Sequence, residues 1–139
     1  MRFTWRYTGL RVLDLDAALR FYTEGLGMRV RERQHIAETG GDIVELVMPG
    51  DGPDARFLEL NWYPPGSEHA APYEPGEALD HLLFRIKEGT MDEAIRHLEA
   101  HGGKLRIPPF REGRCILAYV DGPDGHTIEL DEHHVAAPS

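Results

Sequence analysis

Three residues of types that bind metal ions or carry protons stand inside short apolar stretches of this chain. His81 lies near the start of the run 79–86, and Glu59 and Glu129 each lie between two large aliphatic residues. An imidazole can act as a metal ligand or proton carrier, and paired carboxylates can act as general acids and bases. Each residue alone also has a structural explanation, because buried histidines are commonly hydrogen-bonded and strand glutamates commonly face solvent. The case for chemistry therefore depends on how the chain arranges them.

The two halves of the chain carry the same sequence blocks in the same order, which indicates an internal duplication. When the halves are aligned, Tyr7 corresponds to His81 and Glu59 corresponds to Glu129. Both halves therefore place a glutamate at the same strand position, which strengthens the chemical interpretation. The matching blocks are 7–12 with 81–86, 16–27 with 92–103, and 57–61 with 127–131.

Each half is predicted to run strand, helix, strand, strand, strand. A capping residue is expected before each helix, Asp14 or Asp16 in the first half and Thr90 in the second, where a capping-box pattern begins. Gly27 and Gly103 are expected to end the helices. The predicted strands are 3–12, 28–36, 43–48, 56–63, 79–86, 104–107, 114–120 and 126–130, and the second helix is predicted at 91–100.

A proline-rich segment separates the two halves. The curved sheet of one module encloses only part of a core, so two such sheets placed side by side would form a concave trough. The aligned residues of the two modules would then face each other across the trough and point at one centre. The predicted organisation is one domain at 1–139, made of a first βαβββ module at 1–63, a linker at 64–77 and a second module at 78–134.

The composition is that of a soluble globular protein and favours a small-molecule partner. The 139 residues are 41% hydrophobic and 28% charged, without an apolar run long enough to cross a membrane. A net charge of -9 without a Lys/Arg cluster argues against nucleic acid as a partner. The N-terminal residues lack a signal-peptide pattern, and the single cysteine, Cys115, cannot form an intrachain disulfide. We therefore expect a cytoplasmic protein that binds neither nucleic acid nor a membrane.

Several short motifs carry a resemblance to a known superfamily. They are Thr-Gly-Leu-Arg-Val at 8–12, Phe-Tyr-Thr-Glu-Gly-Leu-Gly-Met at 21–28, Leu-Glu-Leu at 58–60, Asp-His-Leu at 80–82 and Asp-Gly-His-Thr-Ile-Glu-Leu at 124–130. In these motifs the chain resembles the vicinal oxygen chelate superfamily, which includes glyoxalase I, extradiol dioxygenases and bleomycin resistance proteins. The resemblance implies an α+β fold in which two tandem βαβββ modules form a curved mixed-sheet trough. It does not imply one reaction, because this fold supports several chemistries.

The resemblance to glyoxalase I implies a metal site. In glyoxalase I each module supplies a histidine and a glutamate, and Glu59, His81 and Glu129 occupy three of these four places. Tyr7 stands at the fourth, where a neutral phenol is a poorer ligand than an imidazole. One imidazole and two carboxylates still suit a divalent Zn, Ni, Fe or Mn ion and leave positions for water and substrate. Tyr7 is then a distant ligand, a hydrogen-bond donor to substrate, or part of the pocket wall.

The same resemblance implies a metal-dependent lyase or isomerase, closest to glyoxalase I. The metal would chelate a small oxygenated substrate while Glu59 or Glu129 moves a proton. Two alternatives stay open within the superfamily. One is a metal-free ligand-binding protein of the bleomycin resistance kind, and the other is an extradiol-type dioxygenase, which would use a histidine at the Tyr7 position. The resemblance also implies a homodimer whose trough is built from both chains.

The remaining candidate residues receive structural interpretations. Cys115 lies in a predicted strand without a matching base, so it is expected to be a small core residue. The other histidines are expected at the surface, in helices, turns or the tail. They are His35, His69, His97, His101, His126, His133 and His134.

Overall fold

The protein is seen here as a computed structural model that describes residues 1–2, 4–74 and 79–133. The chain divides into two compact units, Met1–Tyr73 (unit 1) and Glu74–Ser139 (unit 2). Each unit contains one four-stranded mixed sheet with a helix between its first and second strands. The predicted α+β class and the repeated strand and helix order are therefore confirmed. None of the helices in the described part of the chain is both long and apolar enough to cross a bilayer.

Unit 1 is a sheet with one face covered by its helix. The sheet order is β1-β4-β3-β2, with β1 parallel to β4 and the other neighbours antiparallel. Leu10, Val44 and Leu60 are register neighbours on one face, and they are buried together with Leu15 and Ala18 of the helix. The elements are β1 (Tyr7–Val12), α1 (Leu15–Arg20), a π-helix (Phe21–Gly25), β2 (Arg29–Ile36), β3 (Gly41–Val47) and β4 (Phe57–Trp62).

Helix α1 does not continue regularly to Gly27 as predicted. Asp14 caps its start through the side chain, but after one and a half turns the backbone widens into the π-helix. There the N–H of Leu26 donates to the carbonyl of Phe21, five residues earlier, at 2.9 Å. Phe21 and Tyr22 are both buried and meet edge to face at 5.3 Å. We attribute the wider turn to the need to bury two adjacent aromatic rings. In a regular α-helix, successive side chains point in directions that differ more than they do in a π-helix.

Unit 2 repeats the arrangement of unit 1. Its sheet order is β5-β8-β7-β6, with β5 parallel to β8. Ile95 and Leu98 of the helix are buried together with Val120, Ile128 and Leu130 of the sheet. The elements are β5 (Leu82–Arg85), α2 (Met91–Ala100), β6 (Lys104–Glu112), β7 (Cys115–Asp121) and β8 (Thr127–His133).

Both ends of α2 are closed by local hydrogen bonds. The Thr90 hydroxyl accepts from the Glu93 N–H at 3.3 Å, and the Glu93 carboxylate accepts from the Thr90 N–H at 2.8 Å, so the predicted capping box is confirmed. At the other end Gly102 has a φ of 96°, and the N–H of Gly103 donates to the Leu98 carbonyl at 2.8 Å. This is the Schellman arrangement that a glycine in the left-handed region permits.

The strand limits of unit 2 differ from the predicted ones by more than one residue at three places. Strand β5 begins at Leu82, so His81 precedes the strand instead of lying within it, because the ladder with β8 starts only at the Leu82–Ile128 pair. Strand β8 runs on to His133, past the predicted end at 130. Strand β6 is nine residues long, where 104–107 was predicted.

Strand β6 carries two irregularities in its pairing with β7. The register shifts between Leu105 and Ile107, and again between Ile107 and Phe110. The second shift contains Pro108 and Pro109, which lack the N–H that a regular ladder needs. The adjacent prolines explain why the sequence predicted a strand that stopped at residue 107.

Candidate metal and proton-transfer site

His81 and Glu129 contact each other in unit 2. The Nε2 atom of His81 lies 2.7 Å from Oε2 of Glu129, and its Nδ1 atom lies 2.6 Å from Oδ1 of Asp80. The backbone causes this contact, because β5 and β8 are parallel neighbours in which Leu83 pairs with Glu129. His81, two residues before Leu83, therefore falls beside Glu129 on the same face of the sheet. The imidazole is held from both ring nitrogens.

Glu129 lies on the sheet face opposite the helix. Ile128 and Leu130 are buried on the helix side, so the alternation of a strand directs Glu129 to the other face, yet its exposed fraction is only 7%. Tyr119 is its register partner on β7, and the Tyr119 ring meets the His81 ring edge to face at 5.8 Å. Burial and the Glu129 carboxylate raise the pKa of the Tyr119 phenol. Tyr119 therefore keeps its proton beside the carboxylate.

Glu59 is also buried, with an exposed fraction of 7%. Burial raises the pKa of its carboxyl group, the Asn61 amide acts in the opposite direction, and the charge of Glu45 raises it further. Glu45 is the register partner of Glu59 on β3 and forms an ion pair with Arg31 at 2.8 Å. Among the residues that the structure describes, none forms an ion pair with Glu59 itself. The sequence also allowed Glu59 to be an ordinary strand residue that faces solvent, and its burial does not agree with that explanation.

Tyr7 lies at the start of β1 and is 47% exposed. Its ring stacks on Phe57 with the centroids 5.0 Å apart and the planes at 17°, and the Arg31 guanidinium lies 4.2 Å from the centre of the Phe57 ring. Gly9, two residues further along β1, is the register partner of Glu59. Tyr7 and Glu59 therefore share one face of unit 1 on neighbouring strands.

Unit 1 thus places Tyr7 and Glu59 on adjacent parallel strands, whereas unit 2 places Glu129 on β8 and His81 just before β5, the parallel neighbour of β8. Unit 2 brings His81 and Glu129 into direct contact, and unit 1 sets Tyr7 and Glu59 on one sheet face. The correspondence follows the aligned sequence blocks. That all four residues converge on one centre stays a prediction from the duplication.

The donor set suits a divalent metal ion. Metal-binding histidines commonly offer their second nitrogen to a carboxylate, which orients the ring, and Asp80 does this for His81. Glu59 and Glu129 are buried carboxylates, which are rare without a compensating cation. Imidazole and carboxylate groups are ligand types that Zn, Mn, Fe and Ni accept.

A second cluster of ligand-type side chains escaped the sequence analysis. One ligand atom each from Cys115, Asp131 and His133 lie within 4.8 Å of one another. Cys115 was expected to be a core residue without a base, but its Sγ atom lies 3.2 Å from Nδ1 of His133. His133 was expected outside the strands, but it is the last residue of β8. The i, i+2 spacing of Asp131 and His133 was the one available signal.

His126 also differs from its expected surface position. Its exposed fraction is 1%, at the end of the turn that joins β7 to β8. The turn is closed by the N–H of Gly122, which donates to the His126 carbonyl at 2.8 Å. The surface position expected for His126 is therefore wrong.

The chain matches a known family model over nearly its whole length. A sequence model described as the glyoxalase/bleomycin resistance protein/dioxygenase superfamily matches residues 5–130. Lactoylglutathione lyase of Neisseria meningitidis is 32% identical over 128 residues, covering 89% of this chain and 86% of that protein. Lactoylglutathione lyase of Salmonella typhimurium is 33% identical over 132 residues, covering 91% of this chain and 90% of that protein.

Solved structures give the same relationship. The trypanothione-dependent glyoxalase I of Leishmania major has a TM-score of 0.69 and 29% identity, covering 91% of this chain and 84% of that one. A glyoxalase family protein of Enterococcus faecalis has a TM-score of 0.69 and 21% identity, covering 93% and 97%. At that identity the second likeness concerns the fold alone.

Proposed function

Because the chain belongs to the glyoxalase/bleomycin resistance protein/dioxygenase superfamily, we propose that it is a metal-dependent lyase or isomerase of the glyoxalase I kind. The single observation that carries the proposal is the contact between the Asp80-oriented His81 and the buried Glu129. It occurs in a chain that is 32% identical to a lactoylglutathione lyase.

The proposed metal ligands are Glu59, His81 and Glu129, with Tyr7 at the fourth position or in contact with substrate. A divalent ion bound there would stabilise negative charge on two adjacent oxygens of a substrate. Asp80 holds the Nδ1 side of His81, which leaves Nε2 as the ligand atom. The duplication supports this ligand set, because it aligns Glu59 with Glu129 and Tyr7 with His81.

The proposed chemical work of the protein side chains is proton transfer. Glu59 or Glu129 removes a proton from the substrate carbon next to a carbonyl group and returns it to the neighbouring carbon. A carboxylate shielded from water suits this role, since bulk solvent does not compete for the proton. The neutral Tyr119 phenol beside Glu129 supplies a hydrogen-bond donor that orients the carboxylate.

The proposed substrate class is a small 2-oxygenated thioester or the adduct that precedes it. The relatives are named for lactoylglutathione, a 2-hydroxyacyl thioester with two adjacent oxygens. Two adjacent oxygens are what a metal with several open positions can chelate. The acidic net charge of -9 does not favour a strongly anionic macromolecule as the partner.

The test is turnover by the full chain after removal and return of metal. Protein stripped with a chelator is reloaded with Zn, Ni, Fe or Mn, and formation or loss of the lactoylglutathione thioester is followed by its absorbance. We expect activity that requires metal. In Glu59→Gln and Glu129→Gln it should fall by about 10²- to 10⁴-fold, the range for loss of a general acid or base. Glu99→Gln changes an exposed helix residue and should keep full activity.

Metal content gives the second readout. We expect about one ion less per chain in His81→Ala than in the unchanged protein. A chain that binds the thioester with undiminished affinity after metal removal, and never turns it over, would instead be a ligand-binding member of the superfamily. Oxygen consumption with a catechol would point to the dioxygenase alternative.

A further inference from the structure

We propose that Cys115, Asp131 and His133 form a second metal site that binds Zn²⁺ or another divalent ion with affinity for thiolate and imidazole. It does not depend on the proposed function, because it uses none of the ligands assigned there. The three ligand atoms lie within 4.8 Å of one another in the region where β7 and β8 pair.

The backbone of unit 2 sets the three side chains on one face. Cys115 and His133 are register partners of the antiparallel strands β7 and β8, so their side chains are cross-strand neighbours. Asp131 lies two residues before His133 on β8 and therefore points to the same side. The arrangement rests on regular strand pairing, which is more rigid than a loop.

Asp131 supplies an independent sign that a ligand belongs here. Its exposed fraction is 3%, and its Oδ1 atom is buried without a hydrogen-bond partner among the described residues. Its other oxygen, Oδ2, accepts from Nε of Arg85 at 2.7 Å. An enclosed carboxylate oxygen without a partner is costly, and a metal ion beside it would remove that cost.

Arg85 acts as the outer partner of a ligating carboxylate. Its guanidinium holds Oδ2 and so fixes the plane in which Oδ1 is presented. The same cation limits the excess of negative charge. With the thiol deprotonated, Cys115 and Asp131 carry two negative charges against one positive charge on Arg85, so the net charge still attracts a cation.

The separation of the sulfur and nitrogen atoms fits a tetrahedral ion. With Zn–S of about 2.3 Å and Zn–N of about 2.0 Å, a tetrahedral angle requires sulfur and nitrogen about 3.5 Å apart. In the structure Cys115 Sγ and His133 Nδ1 are 3.2 Å apart. A small rotation of the exposed His133 side chain supplies the difference. Three protein ligands leave the fourth position open for water or an added ligand.

A reactive-thiol role for Cys115 is the weaker interpretation. The neighbouring Asp131 carboxylate raises the pKa of the Cys115 thiol, and burial raises it further. A nucleophilic cysteine requires the opposite shift. A metal ion would instead displace the thiol proton when it binds.

Cobalt provides the test, because Co²⁺ substitutes for Zn²⁺ and reports its ligands optically. The full chain, stripped of metal, is titrated with Co²⁺ and the near-ultraviolet spectrum is recorded. We expect a saturable sulfur-to-cobalt charge-transfer band, which Zn²⁺ then abolishes. Cys115 is the only cysteine in the chain, so the band identifies its ligand without ambiguity.

The variants separate the ligands from their surroundings. Cys115→Ser should lose the band, and His133→Ala should bind Co²⁺ at least about tenfold more weakly. Arg85→Gln, which removes the positioning partner of Asp131, should weaken binding by about 10- to 100-fold. His69→Ala changes a surface histidine outside the cluster and should leave the titration unchanged. Far-ultraviolet circular dichroism of each variant checks that the sheet has formed.

Two results would overturn the second site. One is the absence of any sulfur band in the unchanged protein with Co²⁺ in large excess, and the other is a band that survives in Cys115→Ser or is unaffected in His133→Ala. Glu129→Gln keeps the two proposals distinguishable. It should retain the sulfur band even if turnover is lost, because no sulfur belongs to the first ligand set.

Discussion

Tyr7 is the residue at which this chain departs from the ligand pattern of glyoxalase I. It occupies the position aligned with His81, and its ring stacks on Phe57 while remaining 47% exposed. A stacked, exposed ring can be exchanged for another flat ring with little effect on packing. Substitution at this position therefore tests directly how much metal affinity the chain lacks because it has no imidazole there.

The change Tyr7→His should strengthen binding of Ni²⁺ or Zn²⁺ to the first ligand set. An imidazole is a better ligand for these ions than a neutral phenol, and the expected gain is about tenfold in affinity, or ~1.4 kcal/mol. Competition with a coloured chelator measures it. Tyr7→Phe is the control, since it keeps the stack on Phe57 without adding a ligand. Equal affinities in Tyr7→His and Tyr7→Phe would remove Tyr7 from the proposed ligand set.

Asp42 predicts how stability responds to acid. Its carboxylate lies 2.7 Å from Nδ1 of His35 and 3.2 Å from the Arg33 guanidinium, and these two contacts lower its pKa below the ordinary 3.8. Because the folded state holds the proton less tightly than the unfolded chain, the contribution of Asp42 is fully present above 3.8. It is lost as the pH falls through the lower folded value.

Urea unfolding of Asp42→Asn at several pH values measures this contribution. The variant should be less stable than the unchanged protein at neutral pH, and the difference should shrink toward zero as the pH falls through the lowered pKa of Asp42 in the folded state. Arg33→Gln should reproduce part of the loss at neutral pH, since it removes one of the two partners. A stability difference independent of pH would show that the carboxylate charge is not what matters.

The duplication made three of the proposed ligands predictable, but it gave no indication of the cluster formed by Cys115, Asp131 and His133. His81, Glu59 and Glu129 stand in blocks that align between the halves, so the sequence alone relates them. Cys115 and His133 meet only through the β7–β8 register, which no local pattern specifies. Neither residue lies in a block that aligns between the two halves, so the internal comparison carried no signal for them.

Among the helices and strands, the junction after α2 is a closely packed turn that a glycine makes possible. A Cβ atom on Gly103 would lie 2.9 Å from both the Leu98 carbonyl oxygen and Cγ1 of Val120. The change Gly103→Ala should therefore lower the free energy of unfolding by about 1–3 kcal/mol, the usual range for overpacking. Denaturant unfolding followed by circular dichroism measures it.

Gly52→Ala is the matched control for that change. A Cβ atom there meets nothing within 4 Å, so the effect should stay within about 0.5 kcal/mol. If both variants lost the same stability, the contacts with Leu98 and Val120 would not be the cause of the loss in Gly103→Ala.

The predicted helix and strand order was confirmed because each element has a local cause. Helix α2 begins at the Thr90 capping box and closes at Gly102 and Gly103, and all of this is visible in the sequence. The predicted strand limits are wrong where pairing between segments distant in the sequence determines where a strand begins or ends. Strand β5 starts at Leu82 because its pairing with β8 starts there. Strand β6 continues through Pro108 and Pro109 because it pairs with β7 both before and after them.

For the whole molecule, the superfamily resemblance predicts a homodimer. Exposed apolar side chains on the strands agree with an interface between copies, among them Leu83 with 53% of its surface exposed. Sedimentation equilibrium should give a mass twice the 15.7 kDa of one chain, with reversible dissociation on dilution. A mass of one chain at every concentration tested would contradict it.

The paired prolines of β6 have a consequence for how many copies can associate through sheet edges. Strand β6 is the last strand of its sheet, so one of its sides offers backbone groups to any neighbouring polypeptide. Pro108 and Pro109 lack amide donors, and the register of β6 against β7 shifts across them. A growing stack of β-strands cannot extend across such a break. The same residues that obscured this strand in the sequence thus make its free edge a poorer template for pairing with another strand.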